Sequence, residues 1–232
     1  MVSGSLRKQR KRWFLALKVR AKALLFDLDD TLVRSTPSIE SAWERFSRRH
    51  QLPFDAVREL LPGRRGSDIV STLFPEMSHE HVVRELALVR KDELESAHTI
   101  EPVNGAANFL ADLTVGQWAV VTAAPKNIMM ARLNGAGLPM PTIAVCAENV
   151  SIGKPSPEGF LTAARLLGAD PSECLGFEDS SVGFAALETS GIRIVEIASA
   201  AGRQCSSAIV SISDYSRLSV RSGGPWMEIE FQ

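Results

Sequence analysis

The chain has 232 residues, 26 Lys and Arg against 27 Asp and Glu, a formal net charge of −1 and 45% hydrophobic residues. That length suits one large domain or a core with an insertion, and the near-neutral charge gives no global argument for a nucleic-acid or membrane partner. No apolar run approaches the roughly 20 residues of a spanning helix, so a soluble cytoplasmic protein, monomeric or weakly dimeric, is expected.

Three cysteines, Cys146, Cys174 and Cys205, are odd in number, widely spaced and set in apolar contexts. They read as thiols in a reducing compartment, with neither a disulfide framework nor zinc spacing. The N-terminal residues 1–21 are expected to be a basic, disordered tail: Arg7, Lys8, Arg10, Lys11, Arg12, Lys18, Arg20 and the following Lys22 are balanced by no acid. The apolar patch Trp13 to Leu17 is too short for the core of a secretory signal. An arm for acidic partners is the functional alternative to a solvated tail.

Lys22 to Leu32 reads KALLFDLDDTL. Ala23 to Phe26 is a short apolar run of the kind buried on both faces of a sheet, and it empties into Asp27, Asp29 and Asp30. Residues two apart on a strand point the same way, so Asp27 and Asp29 are expected to converge just past the strand end and Asp30 to point elsewhere. Two convergent carboxylates need a metal or a shared proton, and small hard cations such as Mg²⁺ take carboxylates plus a ligand phosphate. The bland alternative is a solvated turn in which Asp30-Thr31 caps a helix.

About 70 residues without a strand-like run follow. Ile39, Trp43 and Phe46 mark a helix over Ser35 to His50. Ser78 is placed to cap a second helix with the stripe Val82, Leu86, Val89 and Leu94, and Met77 as a staple. Residues 35–99 are thus expected to be a helical insertion. Between its helices, LPGRRGS (Leu61 to Ser67) is a glycine loop presenting Arg64 and Arg65. Adjacent guanidinium groups there suit forked recognition of an anion or polyol, or are plain surface charge.

From Glu101 the period alternates. Helices are expected over Pro102 to Leu113, Pro125 to Leu133, Pro157 to Leu167 and Ser181 to Thr189. Strands are expected over Gln117 to Thr122, Thr142 to Ala147, Glu173 to Phe177 and Ile192 to Ile197. Ile209 to Ile212 reads as one more strand, and Leu218 to Phe231 as an antiparallel hairpin around Ser222-Gly223-Gly224-Pro225. The fold class is therefore α/β: a Rossmann-like doubly wound parallel sheet formed by residues 22–34 and 100–232, with the helical insertion and a C-terminal β-hairpin.

Thr122, Lys154, Glu178 and Asp179 each follow a predicted strand. Carboxyl ends of parallel strands lie along one edge, so these residues would meet Asp27 and Asp29 there. Singly each has an ordinary explanation as a helix cap, loop lysine or helix-dipole charge. Together they combine acids for a metal with a hydroxyl and an ammonium for an anion.

The ordered set DLDDTL, VVTAA (Val120 to Ala124), GKPSP (Gly153 to Pro157) and GFEDSSVG (Gly176 to Gly183) resembles the four motifs of the haloacid dehalogenase superfamily. The insertion resembles the small helical cap of its β-phosphoglucomutase-like branch, nearest to sugar-phosphate phosphatases of the hexitol, 2-deoxyglucose and glycerol phosphate types. The resemblance implies a phosphatase for a small phosphorylated sugar or polyol, with Asp27 as nucleophile and Asp29 as acid and base. It also implies Thr122, Ala123 and Lys154 on the phosphoryl group, and Gly63, Arg64 and Arg65 on the substrate body. Mg²⁺ would sit on Asp27, the Asp29 carbonyl and Asp179, with Glu178 acting through water. Asp30 stands where glycine is commoner in that branch, and Pro62 where histidine is frequent. A phosphomutase is the alternative, against which Thr31 speaks because the mutases tend to carry a branched apolar residue there.

Overall fold

A computed structural model of the chain describes residues 17–198 and 204–232. The first strand, β1 (Leu17–Ala21), corrects the expectation of a tail for those five residues; residues 1–16 lie outside the described chain. Val19 and Ala21 are buried while Lys18 and Arg20 alternate outward. Two of the eight charges that read as an unbalanced run, Lys18 and Arg20, are thus on the wet face of a strand. The acids that balance it lie far along the chain: Lys18 Nζ is 2.9 Å from Glu228 Oε1, and Arg20 stands opposite Glu228 in register.

Next come β2 (Ala23–Phe26), the short β3 (Val33–Arg34), and four helices, α1 (Thr36–Arg49), α2 (Phe54–Arg58), α3 (Gly66–Leu73) and α4 (His79–Ser96). No strand lies between α1 and α4, and α2 and α3 are too short to show a period in the sequence. Trp43, Phe46, Val57, Ile69, Val70 and Val89 give this helical unit a core of its own. Ser78 caps α4 as expected, accepting from the His81 amide, but the stripe runs Val82, Leu86, Val89 and then Glu93; Leu94 is 40% exposed.

Then β4 (Glu101–Pro102) pairs antiparallel with β3, closing the two crossings of the chain between the helical unit and the sheet. Pro102 is therefore in a strand, and α5 is confined to Ala106–Ala111. The alternation that follows is β5 (Trp118–Val121), α6 (Lys126–Gly135), β6 (Ile143–Val145), α7 (Glu158–Leu166), β7 (Cys174–Glu178), α8 (Ser181–Ser190), β8 (Arg193–Ile197) and β9 (Val210–Ile212). β10 (Leu218–Gly223) and β11 (Trp226–Phe231) form the hairpin, and β1 joins it on the other side of β11.

The parallel sheet has the order β6-β5-β2-β7-β8-β9. Leu24 and Phe26 face a core shared with α5, α6 and the antiparallel sheet, while Ala23 and Leu25 face one made with α7 and α8. Burial of both faces explains why these strands read as unbroken apolar runs. Phe26 stacks on Phe177 of the neighbouring strand at 4.6 Å between ring centroids, which stiffens the sheet beneath its carboxyl edge. Cys146 and Cys174 are free and buried, and burial pushes both thiols up to about 11. No helix among the described residues is long and apolar enough to cross a membrane.

The turn after α4 packs closely against the end of α6. A Cβ on Gly135 would lie 2.0 Å from the Ala97 carbonyl oxygen. Gly135→Ala is expected to lower stability by about 1–3 kcal/mol, the cost of overpacking against backbone, read from the denaturant midpoint.

Candidate active site

Chain order turns round at β2: β5 and then β6 lie to one side, β7, β8 and β9 to the other. That is a switch point, where a crevice opens beyond the strand ends. Asp27 leaves β2, Thr122 leaves β5 and Asp179 leaves β7, so three separated segments deliver polar groups to one place.

Lys154 joins them. Its Nζ donates to Asp27 Oδ1 at 2.6 Å and to Glu178 Oε2 at 2.7 Å, and all three side chains are nearly dry, at 6%, 7% and 0% exposure. Glu178 is held in turn: its Oε1 accepts from the Ser180 hydroxyl at 2.7 Å and the Ser180 amide at 3.1 Å. The Ser180 hydroxyl also accepts from the Gly183 amide, capping α8. Local sequence does this work, because an acid one turn ahead of a capped helix meets free amides.

Asp27, Glu178 and Asp179 offer oxygens all within 4.8 Å of one another. Burial, then the Glu178 charge, pushes Asp27 up to about 8 against the pull of Lys154, and the same two causes push Asp179 up to about 9. One ammonium does not neutralise this cluster. A hard divalent cation fits it by charge and by donor type, since all the donors are carboxylate oxygens. Thr31, fully buried, directs its hydroxyl to Asp179 Oδ1 at 3.4 Å.

The other expected residues fall as follows. Asp30 adopts φ +59°, a conformation that Asp tolerates and glycine takes freely, and its carboxylate accepts from the Ser35 and Thr36 amides at the start of α1. The capping role belongs to Asp30, alongside the site rather than in place of it. Asp27 and Asp29 both face the cavity past the strand end, and the Asp29 charge helps push Asp27 up, but the two carboxylates bond different partners. β2 ends at Phe26, and Asp29 already bridges to Val33 in a tight turn, so the period of two no longer holds. The Asp29 carboxylate instead receives Arg132 Nη1, 2.7 Å from both oxygens, and the Ser35 hydroxyl at 2.6 Å.

Thr122 is buried and accepts from the Ala124 amide at 3.0 Å; it lines a small cavity with Lys154 and Ala123. The larger cavity, about 920 Å³, opens between sheet edge and helical unit and is lined by Asp27, Asp29 and Asp179 below and by Gly63, Arg64 and Arg90 above. The glycine loop is pressed onto the core: a Cβ on Gly63 would lie 2.5 Å from the Ser180 hydroxyl oxygen.

Arg65 departs from the expected clamp. Its Nε and Nη2 hold Asp68 at 2.8 and 2.9 Å, while Nη1 reaches the Val150 and Ser151 carbonyls at 3.1 and 3.2 Å. It ties the loop to the core with four of its five N–H groups while still lining the cavity, whereas Arg64 makes no side-chain hydrogen bond or ion pair among the described residues. Arg132, Glu93 and Arg90 are site residues that sequence reasoning missed. Glu93 had one available signal, its place four residues after Val89 on the inward stripe of α4.

A parallel-sheet edge carrying a buried lysine among three acids is suited to holding an anion beside a cation. Residues 21–191 match the haloacid dehalogenase-like hydrolases, and the chain belongs to that family. Hexitol phosphatase A of Escherichia coli is 33% identical over 181 residues, 77% of this chain and 84% of that protein. Glycerol-1-phosphate phosphohydrolase 2 of Saccharomyces cerevisiae is 30% identical over 192 residues, 78% of this chain and 76% of that one. Among solved structures, β-phosphoglucomutase from Clostridium difficile superposes with a TM-score of 0.74 at 21% identity, covering 86% of this chain and 93% of its own.

Lys154→Met removes the counter-charge of two buried acids. Stability at neutral pH is expected to fall by about 3–5 kcal/mol, measured by denaturant unfolding.

Proposed function

We propose that this enzyme is a Mg²⁺-dependent phosphatase that hydrolyses a small sugar or polyol phosphate monoester through an aspartyl phosphate on Asp27. The observation that carries the reading is the buried Lys154 held between Asp27 and Glu178 beneath a cavity roofed by the helical unit. The phosphatase names of relatives at 30–33% identity support the substrate class.

In this reading an Asp27 carboxylate oxygen attacks phosphorus, the bond from phosphorus to the sugar oxygen breaks, and Asp29 gives that oxygen a proton. Water then attacks phosphorus, Asp29 takes its proton, the bond from phosphorus to Asp27 breaks, and orthophosphate leaves. Lys154, the Thr122 hydroxyl and the Ala123 amide bind phosphoryl oxygens, because phosphoryl transfer is mostly positioning and charge neutralisation. Asp27, Asp179 and the Asp29 carbonyl would hold Mg²⁺, with Glu178 acting through water, and a cation bound there would supply charge neutralisation at the phosphoryl group. Residues 35–99 serve as a cap that keeps bulk water from the cavity. Free, buried Cys146 and Cys174 accord with a reducing cytoplasm. The phosphomutase alternative is not favoured: the β-phosphoglucomutase likeness, at 21% identity, is one of fold.

Phosphate release from a panel of hexose, hexitol and glycerol phosphates is expected to need Mg²⁺, to stop on chelation and to be lost in Asp27→Asn. Release that survives that substitution would sink the assignment. For the roof, Arg64→Ala is expected to raise KM for sugar phosphates more than for an aryl phosphate, since Arg64 lines the cavity and its charge has no side-chain partner among the described residues. Arg65→Ala, which unfastens the loop, is expected to lower turnover of both substrates alike; steady-state kinetics on the two separates these roles.

A further inference from the structure

Arg132 is a core residue of α6 with an unusual double commitment. Its side chain is only 3% exposed, yet it serves two carboxylates from two different parts of the chain. Nη1 lies 2.7 Å from both oxygens of Asp29, beside the sheet edge, and Nη2 lies 3.2 Å from Glu93 Oε1, on α4 of the helical unit. The Ser35 hydroxyl, at the junction leading into α1, completes the hold on Asp29 at 2.6 Å. The ground under this link is firm, because α6 and the turn after α4 touch backbone to backbone at Gly135 and Ala97.

A carboxylate bound by a planar guanidinium loses most of its rotational freedom, and a guanidinium shared with a second acid loses its own. We propose that Arg132 is a positioning residue for the reaction: braced by Glu93 across the contact between helical unit and core, it sets where the Asp29 carboxylate stands relative to the leaving oxygen. This rests on the reading of Asp29 as the acid and base. It assigns α4 a part in the chemistry as well as in roofing the cavity, since Glu93 hydrogen-bonds the same guanidinium that holds Asp29.

An acid that must meet its oxygen matters most when the leaving group is a poor one. Alkyl phosphates leave as alkoxides and need the proton, whereas nitrophenyl phosphate leaves as a stable phenolate and does not. The test is first-turnover release of alcohol from glycerol phosphate and of nitrophenolate from nitrophenyl phosphate, in the wild type, Arg132→Gln, Arg132→Lys, Glu93→Gln and Asp29→Asn, with Mg²⁺ present. Arg132→Gln is expected to slow alcohol release by roughly 10- to 100-fold, part of the usual worth of general acid catalysis, with little change in KM and a much smaller loss of nitrophenolate release. Arg132→Lys and Glu93→Gln are expected to show the same selectivity in weaker form, and they carry the comparison if Arg132→Gln does not fold. Equal losses on both substrates would make Arg132 a structural brace only and overturn the proposal. Selective loss in Asp29→Asn without it in any Arg132 or Glu93 variant would overturn the proposal while leaving the acid and base reading intact. Unchanged alcohol release in Asp29→Asn would remove both.

Discussion

The structure depends on the ammonium of Lys154 between Asp27 and Glu178. Burying one charge is expensive, and burying three is tolerable only where each is paired and each spare lone pair is met. The chain meets that demand with a capped helix, a serine that bonds twice, and a sheet edge stiffened by stacked Phe26 and Phe177. Charge is still left over. Burial and the neighbouring acids push Asp27 and Asp179 well above the ordinary carboxylate range, and a cation placed among the three acids would relieve that repulsion.

A second constraint is that the helical unit is fastened at several separate points. Arg65 grips two carbonyls of the core, Gly63 lies against Ser180, and Glu93 reaches Arg132 beside the backbone contact of Gly135 with Ala97. The roof and the site are consequently one electrostatic system. Asp29 belongs to both, being part of the core acidic motif and tied through Arg132 to α4.

The motifs that the sequence displays were legible because each follows a strand whose burial on both faces leaves an apolar run, and because parallel strands gather their ends. Asp27, Thr122, Lys154, Glu178 and Asp179 all stand along that edge. Periodicity was less help where elements are short or where charge is placed on a strand. Lys18 and Arg20 looked like tail because their acidic partners, Glu228 and Glu230, lie over 200 residues away in the chain. Leu94 looked like core because it is apolar, but the turn of α4 carries Glu93 inward instead.

By itself the sequence determined the α/β class, the family and the identity of the acidic edge, since alternating periods and strand-end polar residues are local properties written in order along the chain. Tertiary structure decided which acid answers to which cation. Lys154 takes Asp27 and Glu178, Arg132 takes Asp29 and Glu93, and Arg65 takes Asp68. Pairing of charges depends on distance in space and on the absence of competing water, and neither quantity exists until the chain has folded.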